Sequence, residues 1–241
     1  MPDFRMLPTR AQELRISRRQ ILAGAAALGI GGASYLALRD LGSPLGPGAL
    51  DVGAQLTSAP RNGPLRCAGA NLVDQAGENV TLTGVSWFGM ETGAFCPHGL
   101  WARNWQQMLD QIVQTGFNTI RLPYSNQLFD AASIPNGIDF TKNADLRGLT
   151  GLEIMDRIVQ GAGRRGLRII LDRHRPDSYA QSPLWYTGHV SEERWIADWV
   201  KLAQRYRTEN SVIGADLHNE PHGQATWGDG NMTTDWRLAA E

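Results

Sequence analysis

A chain of 241 residues with a formal net charge of −1 and a pI near 6.5 lacks the basic surplus that holds nucleic acid, which argues against a nucleic-acid partner. With 42% hydrophobic residues it has enough apolar material for a sizeable core. Its two cysteines, Cys67 and Cys96, allow one disulfide if the chain reaches an oxidising compartment.

The chain opens with Arg15-Ile16-Ser17-Arg18-Arg19-Gln20-Ile21-Leu22, a twin-arginine pattern, followed by a weakly hydrophobic Ala/Gly-rich stretch over Ile21–Leu38. Together they predict a signal for export of folded protein by the twin-arginine machinery, and hence a secreted product. The stretch is about 18 residues, the lower edge for a membrane span, and no clear Ala-x-Ala site follows it, so a membrane anchor is the alternative. Residues 1–40 are therefore read as signal or anchor, 41–64 as a Gly/Pro-rich linker, and 65–241 as the folded domain.

Leu65–Val80 alternates around Asp74-Gln75-Ala76-Gly77, predicting a short hairpin. Apolar strand patterns ending in polar or aromatic residues recur over Thr81–Thr92, Gly116–Asn126 and Gly166–Asp177, and a fourth begins at Val212. Between them helical spacing predicts helices over Trp101–Thr115, Leu149–Arg165 and Ser191–Arg207. Gly116 and Gly166 suit the position just after a helix, Ser191 suits a helix start, and Asp235–Glu241 reads as the opening of a further helix. This alternation predicts a parallel α/β sheet.

The fourth strand runs into Asp216-Leu217-His218-Asn219-Glu220-Pro221-His222. A parallel strand buried on both faces reads as a short apolar run, and catalytic side chains of α/β barrels stand at the C-terminal ends of such strands. Glu220 is therefore the candidate proton donor, although Asn-Glu-Pro taken alone reads by default as a surface loop. Asp216, His218 and His222 lie close enough in sequence to suggest a metal site; Asp216 and His218 are spaced to share one strand face, with Glu220 beyond its end.

Several segments together, GVSWFGMET, HGLWARNWQQMLDQI, GFNTIRLPYS, GLRIILDRHRP, LWYT and DLHNEPHG, make residues 65–241 resemble the glycoside hydrolase family 5 cellulases, the bacterial endo-β-1,4-glucanases. The resemblance implies a (β/α)8 TIM barrel that hydrolyses β-1,4-glucan with retention and uses no metal or organic cofactor. A retaining glycosidase needs two carboxyl groups roughly 5 to 5.5 Å apart, one protonating the leaving oxygen and one attacking the anomeric carbon.

By resemblance Glu220 is the acid/base, Asn219 bonds the sugar 2-hydroxyl, Arg121 keeps the nucleophile ionised, His174 lines the site, and His98 stands at the sugar-binding edge. As a structural alternative, Arg121 pairs with a carboxylate for stability and His174 is a satisfied core histidine. Trp105, Trp195 and Trp199 fall on apolar helix faces and are read as core. Trp87, Trp185 and Trp227 follow strands, and Trp87 is chosen among them for sugar stacking. Tyr124 is placed at the same rim as Arg121, orienting substrate or capping the loop. His218, Asp216 and His222 would line or support the site without metal.

The resemblance implies eight strands, but only about the first four β/α units are recognisable, and the family's nucleophile follows the seventh strand. Glu241 lies in a helical stretch and does not fill that role. The expectation is thus the N-terminal half of a catalytic barrel that carries the acid/base, lacks the nucleophile and is inactive alone. Alternatives are a non-catalytic cello-oligosaccharide-binding fragment, or a family member acting on mannan or another β-glycan.

Overall fold

The computed structural model describes residues 63–241; the signal or anchor, the twin-arginine pattern and nearly all of the linker lie outside them. The described chain opens with strands β1 (Arg66–Ala68) and β2 (Asn71–Val73), paired antiparallel with Arg66 opposite Val73. The turn expected over 74–77 also forms, because Asp74 Oδ1 accepts from the amides of Ala76 and Glu78 at 2.9 and 3.0 Å. It is closed only by a single Val73–Asn79 bridge, so the regular pairing lies one turn earlier than expected.

The rest is a four-stranded parallel sheet in the order β3 (Gly84–Ser86), β4 (Thr119–Ser125), β5 (Arg168–Arg175), β6 (Val212–Asp216). Helices α1 (Trp105–Gln114), α2 (Gly151–Arg164) and α3 (Glu192–Tyr206) connect successive strands, and a short α4 (Trp236–Ala240) follows β6. Side chains set these boundaries. Asn104 caps α1 by accepting from the Gln106 and Gln107 amides, so the helix starts at Trp105 and not at Trp101 as expected. Thr150 and Glu153 close a capping box on α2. Ser191 Oγ accepts from the Arg194 amide at 3.3 Å to start α3, as its position predicted. Gly116 and Gly166 leave their helices with φ of +89° and +77°, values that residues with a Cβ rarely adopt.

Strand alternation assigns the two faces of the sheet. Ile120, Leu122 and Tyr124 of β4 and Ile169 and Leu171 of β5 turn toward the helices and form the core with Trp105, Leu109, Ile154, Met155, Ile158, Val159 and Leu202. The intervening Arg121 and Pro123, and Ile170, Asp172 and His174, face the other way, where the site lies. Of the helical tryptophans, Trp105 and Trp195 are buried and Trp199 partly so, as expected. The expectation of a last strand buried on both faces fails. Among the described residues β6 is paired only with β5, and Gly214 and Ala215 are exposed.

Cys67 is an exposed free thiol and Cys96 a buried one, so the disulfide allowed by the cysteine count is not formed. Burial raises the Cys96 thiol to about 11, and its Sγ–H donates to the Asn136 carbonyl at 3.2 Å. Among the described residues no helix is long and apolar enough to cross a membrane.

Candidate active site

The candidate residues gather at the carboxyl ends of β4, β5 and β6. Arg121 leaves the open face of β4 and meets both following strands. Its Nη1 is 2.9 Å from Asp172 Oδ2, and its Nη2 is 2.7 Å from both Asp216 Oδ2 and Asn219 Oδ1. Asp172 is fully buried, whereas Arg121 keeps 28% of its side chain exposed, so the guanidinium bridges the interior and the open face. Burial raises the Asp172 carboxyl above its ordinary range, and His174 and Arg121 pull it back.

These contacts orient the groups that remain free. Asn219 gives its side-chain oxygen to Arg121, which leaves its amide nitrogen as a donor toward the open face. The Nδ1 of His174 is 2.7 Å from Asp172 Oδ2, a bond that places the ring proton on Nδ1 and leaves Nε2 for another partner.

Glu220 stands just beyond these residues and is exposed. Its φ is +52°, and Phe95 is the only other non-glycine among the described residues with positive φ. Such a conformation is costly for a residue with a Cβ and persists where surrounding contacts dictate it. The contacts are present. The indole N–H groups of Trp195 and Trp199 both donate to the Leu217 carbonyl at 2.9 and 3.1 Å. The Asn219 amide donates to the Arg173 carbonyl at 3.1 Å, and Gln181 Nε2 donates to Asn219 O and Glu220 Oε2, both at 3.1 Å. The carboxyl end of β6 therefore presents a held, solvent-facing carboxyl beside an oriented amide.

The family description Cellulase (glycosyl hydrolase family 5) matches residues 73–241. The chain belongs to glycosyl hydrolase family 5. This family 5 chain is 57% identical over 173 residues to an endoglucanase of Paenibacillus polymyxa and 48% identical over 170 residues to the major extracellular endoglucanase of Xanthomonas campestris pv. campestris. Those matches take in 72% and 70% of the chain but 44% and 35% of the relatives, so the chain spans less than half of either. Among solved structures, the catalytic domain of the Xanthomonas enzyme superimposes with a TM-score of 0.68 at 45% identity, covering 76% of this chain and 50% of that one. A cellotetraose complex of an endocellulase from Pyrococcus horikoshii superimposes with a TM-score of 0.66 at 45% identity, covering 70% of this chain and 49% of that one. The fold is accordingly that of the family's TIM-barrel catalytic domain, of which the four described parallel strands form a part.

The structure brings Arg121, His174, Asn219 and Glu220 together, and moves others away. Trp87 is 6% exposed and packs in the core while its Nε1 donates to the His98 carbonyl at 2.9 Å, so it presents no open face for stacking. Trp185 is wholly buried against Trp195 and Trp236; Trp227 is exposed. Tyr124 is also wholly buried, because period-two alternation from Leu122 turns it toward the helices, where its ring meets Phe129 and Trp199. Its hydroxyl has no hydrogen-bond partner among the described residues, so it neither caps the loop nor reaches the rim.

His98 is exposed at the loop after β3, where it belongs to an aromatic ledge that sequence reasoning missed. Phe88 stacks on its ring at 4.2 Å, and Trp101, which is 52% exposed, meets it edge-on at 4.3 Å. Trp101 lies in the stretch where helical spacing predicts a helix, and the sequence signal against including it is Asn104, a cap residue three positions on. Asp216 and His218 do not share a face. The strand ends at Asp216, which turns to Arg121, while the next residues bend and His218 turns to Arg173 on the helix side of β5.

Proposed function

We propose that this chain carries the acid/base and sugar-binding half of an endo-β-1,4-glucanase site. Glu220 protonates the glycosidic oxygen and later activates water. The observation that carries the proposal is the pairing of Glu220, held at φ +52°, with Asn219, whose amide oxygen is occupied by Arg121. That leaves the Asn219 N–H to bond a sugar hydroxyl next to the bond being cleaved, an interaction that strengthens as the ring approaches its oxocarbenium-like state. His174 Nε2 offers a second polar contact, and the Phe88–His98–Trp101 ledge offers flat apolar surface to glucose rings. A neutral glucan needs no charge steering, in keeping with the small net charge.

The attacking carboxylate is assigned to a residue outside those described. By the family resemblance it follows a seventh strand, and the parallel sheet of the described residues has four. The chain alone is therefore proposed to bind cello-oligosaccharide without cleaving it. Export through the twin-arginine machinery is proposed on the Arg18-Arg19 pattern.

The test is calorimetric titration of the full chain with cellotetraose, beside reducing-sugar release from carboxymethylcellulose by the chain and by Glu220→Gln. Binding without release supports the half site. Release that disappears in Glu220→Gln would show that the chain holds its own nucleophile, and absence of binding would remove the glucan assignment.

A further inference from the structure

Arg173 is wholly buried, yet its guanidinium reaches three loops. Nε donates to Asn126 Oδ1 at 2.7 Å in the segment after β4, and Nη2 donates to the Trp185 carbonyl at 2.9 Å in the segment after β5. Nη1 lies 2.7 Å from His218 Nδ1 in the segment after β6. A guanidinium only donates, so His218 accepts at Nδ1 and carries its ring proton on Nε2. The backbone of the same arginine accepts from the Asn219 amide at 3.1 Å. One residue thus holds the Asn219–Glu220 loop twice, through its carbonyl and through its side chain.

The partners explain why this arrangement places loops and does not merely neutralise charge. All three acceptors of the guanidinium are neutral. The carboxylate of Asp198 stands one step away, accepting from Asn126 Nδ2 at 2.8 Å and itself paired with Arg194 at 2.7 Å. A buried cation hydrogen-bonded by three loops fixes their mutual position, since any loop that withdraws leaves an N–H unsatisfied where water does not replace it. Neither Arg173 nor His218 faces the open side of the sheet, where Asp172 and His174 flank Arg173 on β5.

We propose that Arg173 and His218 are positioning residues for the acid/base loop, with the Nη1···Nδ1 contact setting the place of Asn219 and Glu220. The inference rests on the reading of Glu220 as acid/base and adds what holds it. It makes a distinction between two similar substitutions. Asparagine at this position carries its oxygen near the location of Nδ1, whereas glutamine carries it a bond farther, near that of Nε2.

The experiment compares the full chain with His218→Asn, His218→Gln and Arg173→Lys. It reads hydrogen exchange of the Asn219 amide against that of Ile169, which is bonded to the Ser211 carbonyl in the core, together with cellotetraose affinity. His218→Asn is expected to resemble the parent in both. His218→Gln and Arg173→Lys are expected to speed Asn219 exchange by about tenfold with Ile169 unchanged, and to weaken cellotetraose by a similar factor. Equal behaviour of the Asn and Gln variants, or Asn219 exchange that moves only in step with Ile169, overturns the proposal. If the parent does not bind cellotetraose but the exchange pattern appears, positioning stands and the glucan reading falls.

Discussion

Replacing Arg121 by methionine would strip the cation from Asp172 while that carboxylate stays buried and Asp216 and Asn219 lose their common donor. Breaking a buried pair in this way costs about 3 to 5 kcal/mol, toward the lower end here because Arg121 is partly exposed. Urea denaturation of Arg121→Met should show a loss of that order, and cellotetraose affinity should fall with it as the Asn219 amide is freed to rotate. His218 gives a second residue-scale expectation. Burial, with the Arg173 charge beside it, lowers its ring to about 4 from an ordinary 6.5. The unfolded chain then binds more protons than the folded one between those values, so stability is full above about 6.5 and falls as pH drops toward 4. The full shift corresponds to roughly 3 kcal/mol. Thermal melts of the parent should lose stability across this window, and melts of His218→Asn should lack that component.

Packing between elements is tight where α2 crosses α1. A Cβ on Gly161 would lie 2.4 Å from the Trp105 ring, and that ring has little freedom because its Nε1 donates to Asp145 at 2.9 Å. Gly161→Ala is expected to destabilise by about 1 to 3 kcal/mol through overpacking, in spite of alanine's better helix propensity, and a lowered melting temperature would register it. The order of strands and helices was legible because apolar periodicity of two and 3.6 is local. Aromatic placement was less so. Trp87 follows the end of β3, Tyr124 lies near the end of β4 and Trp185 lies in the loop after β5, and only the neighbours brought by distant segments decide whether such rings turn in or out. Tyr124 was partly readable, since counting by two from Leu122 sends it to the helices. Gln181 gave no signal, because its contacts with Asn219 and Glu220 join residues 38 and 39 positions apart. Arg121, His174, Asn219 and Glu220 were legible because each sits in a motif that resemblance could match residue by residue.

At the scale of the whole molecule, β3 and β6 each leave a strand edge unpaired among the described residues, an arrangement that invites pairing with another chain. The helical layer is uneven in the same direction. No large hydrophobic of the central helix α2 is exposed, whereas Val113 on α1 is 40% exposed and Ile196 and Val200 on α3 are 49% and 47% exposed. Sedimentation velocity of the full chain over a range of concentrations should show association, and Ile196→Lys with Val200→Glu should reduce it without altering the site, which lies on the opposite face of the sheet. That unevenness also sets a thermal response. Contacts made by apolar side chains lose strength in the cold and depend little on screening ions, so dilute protein kept chilled should remain dispersed and gentle warming should cluster it reversibly, with added sodium chloride making little difference.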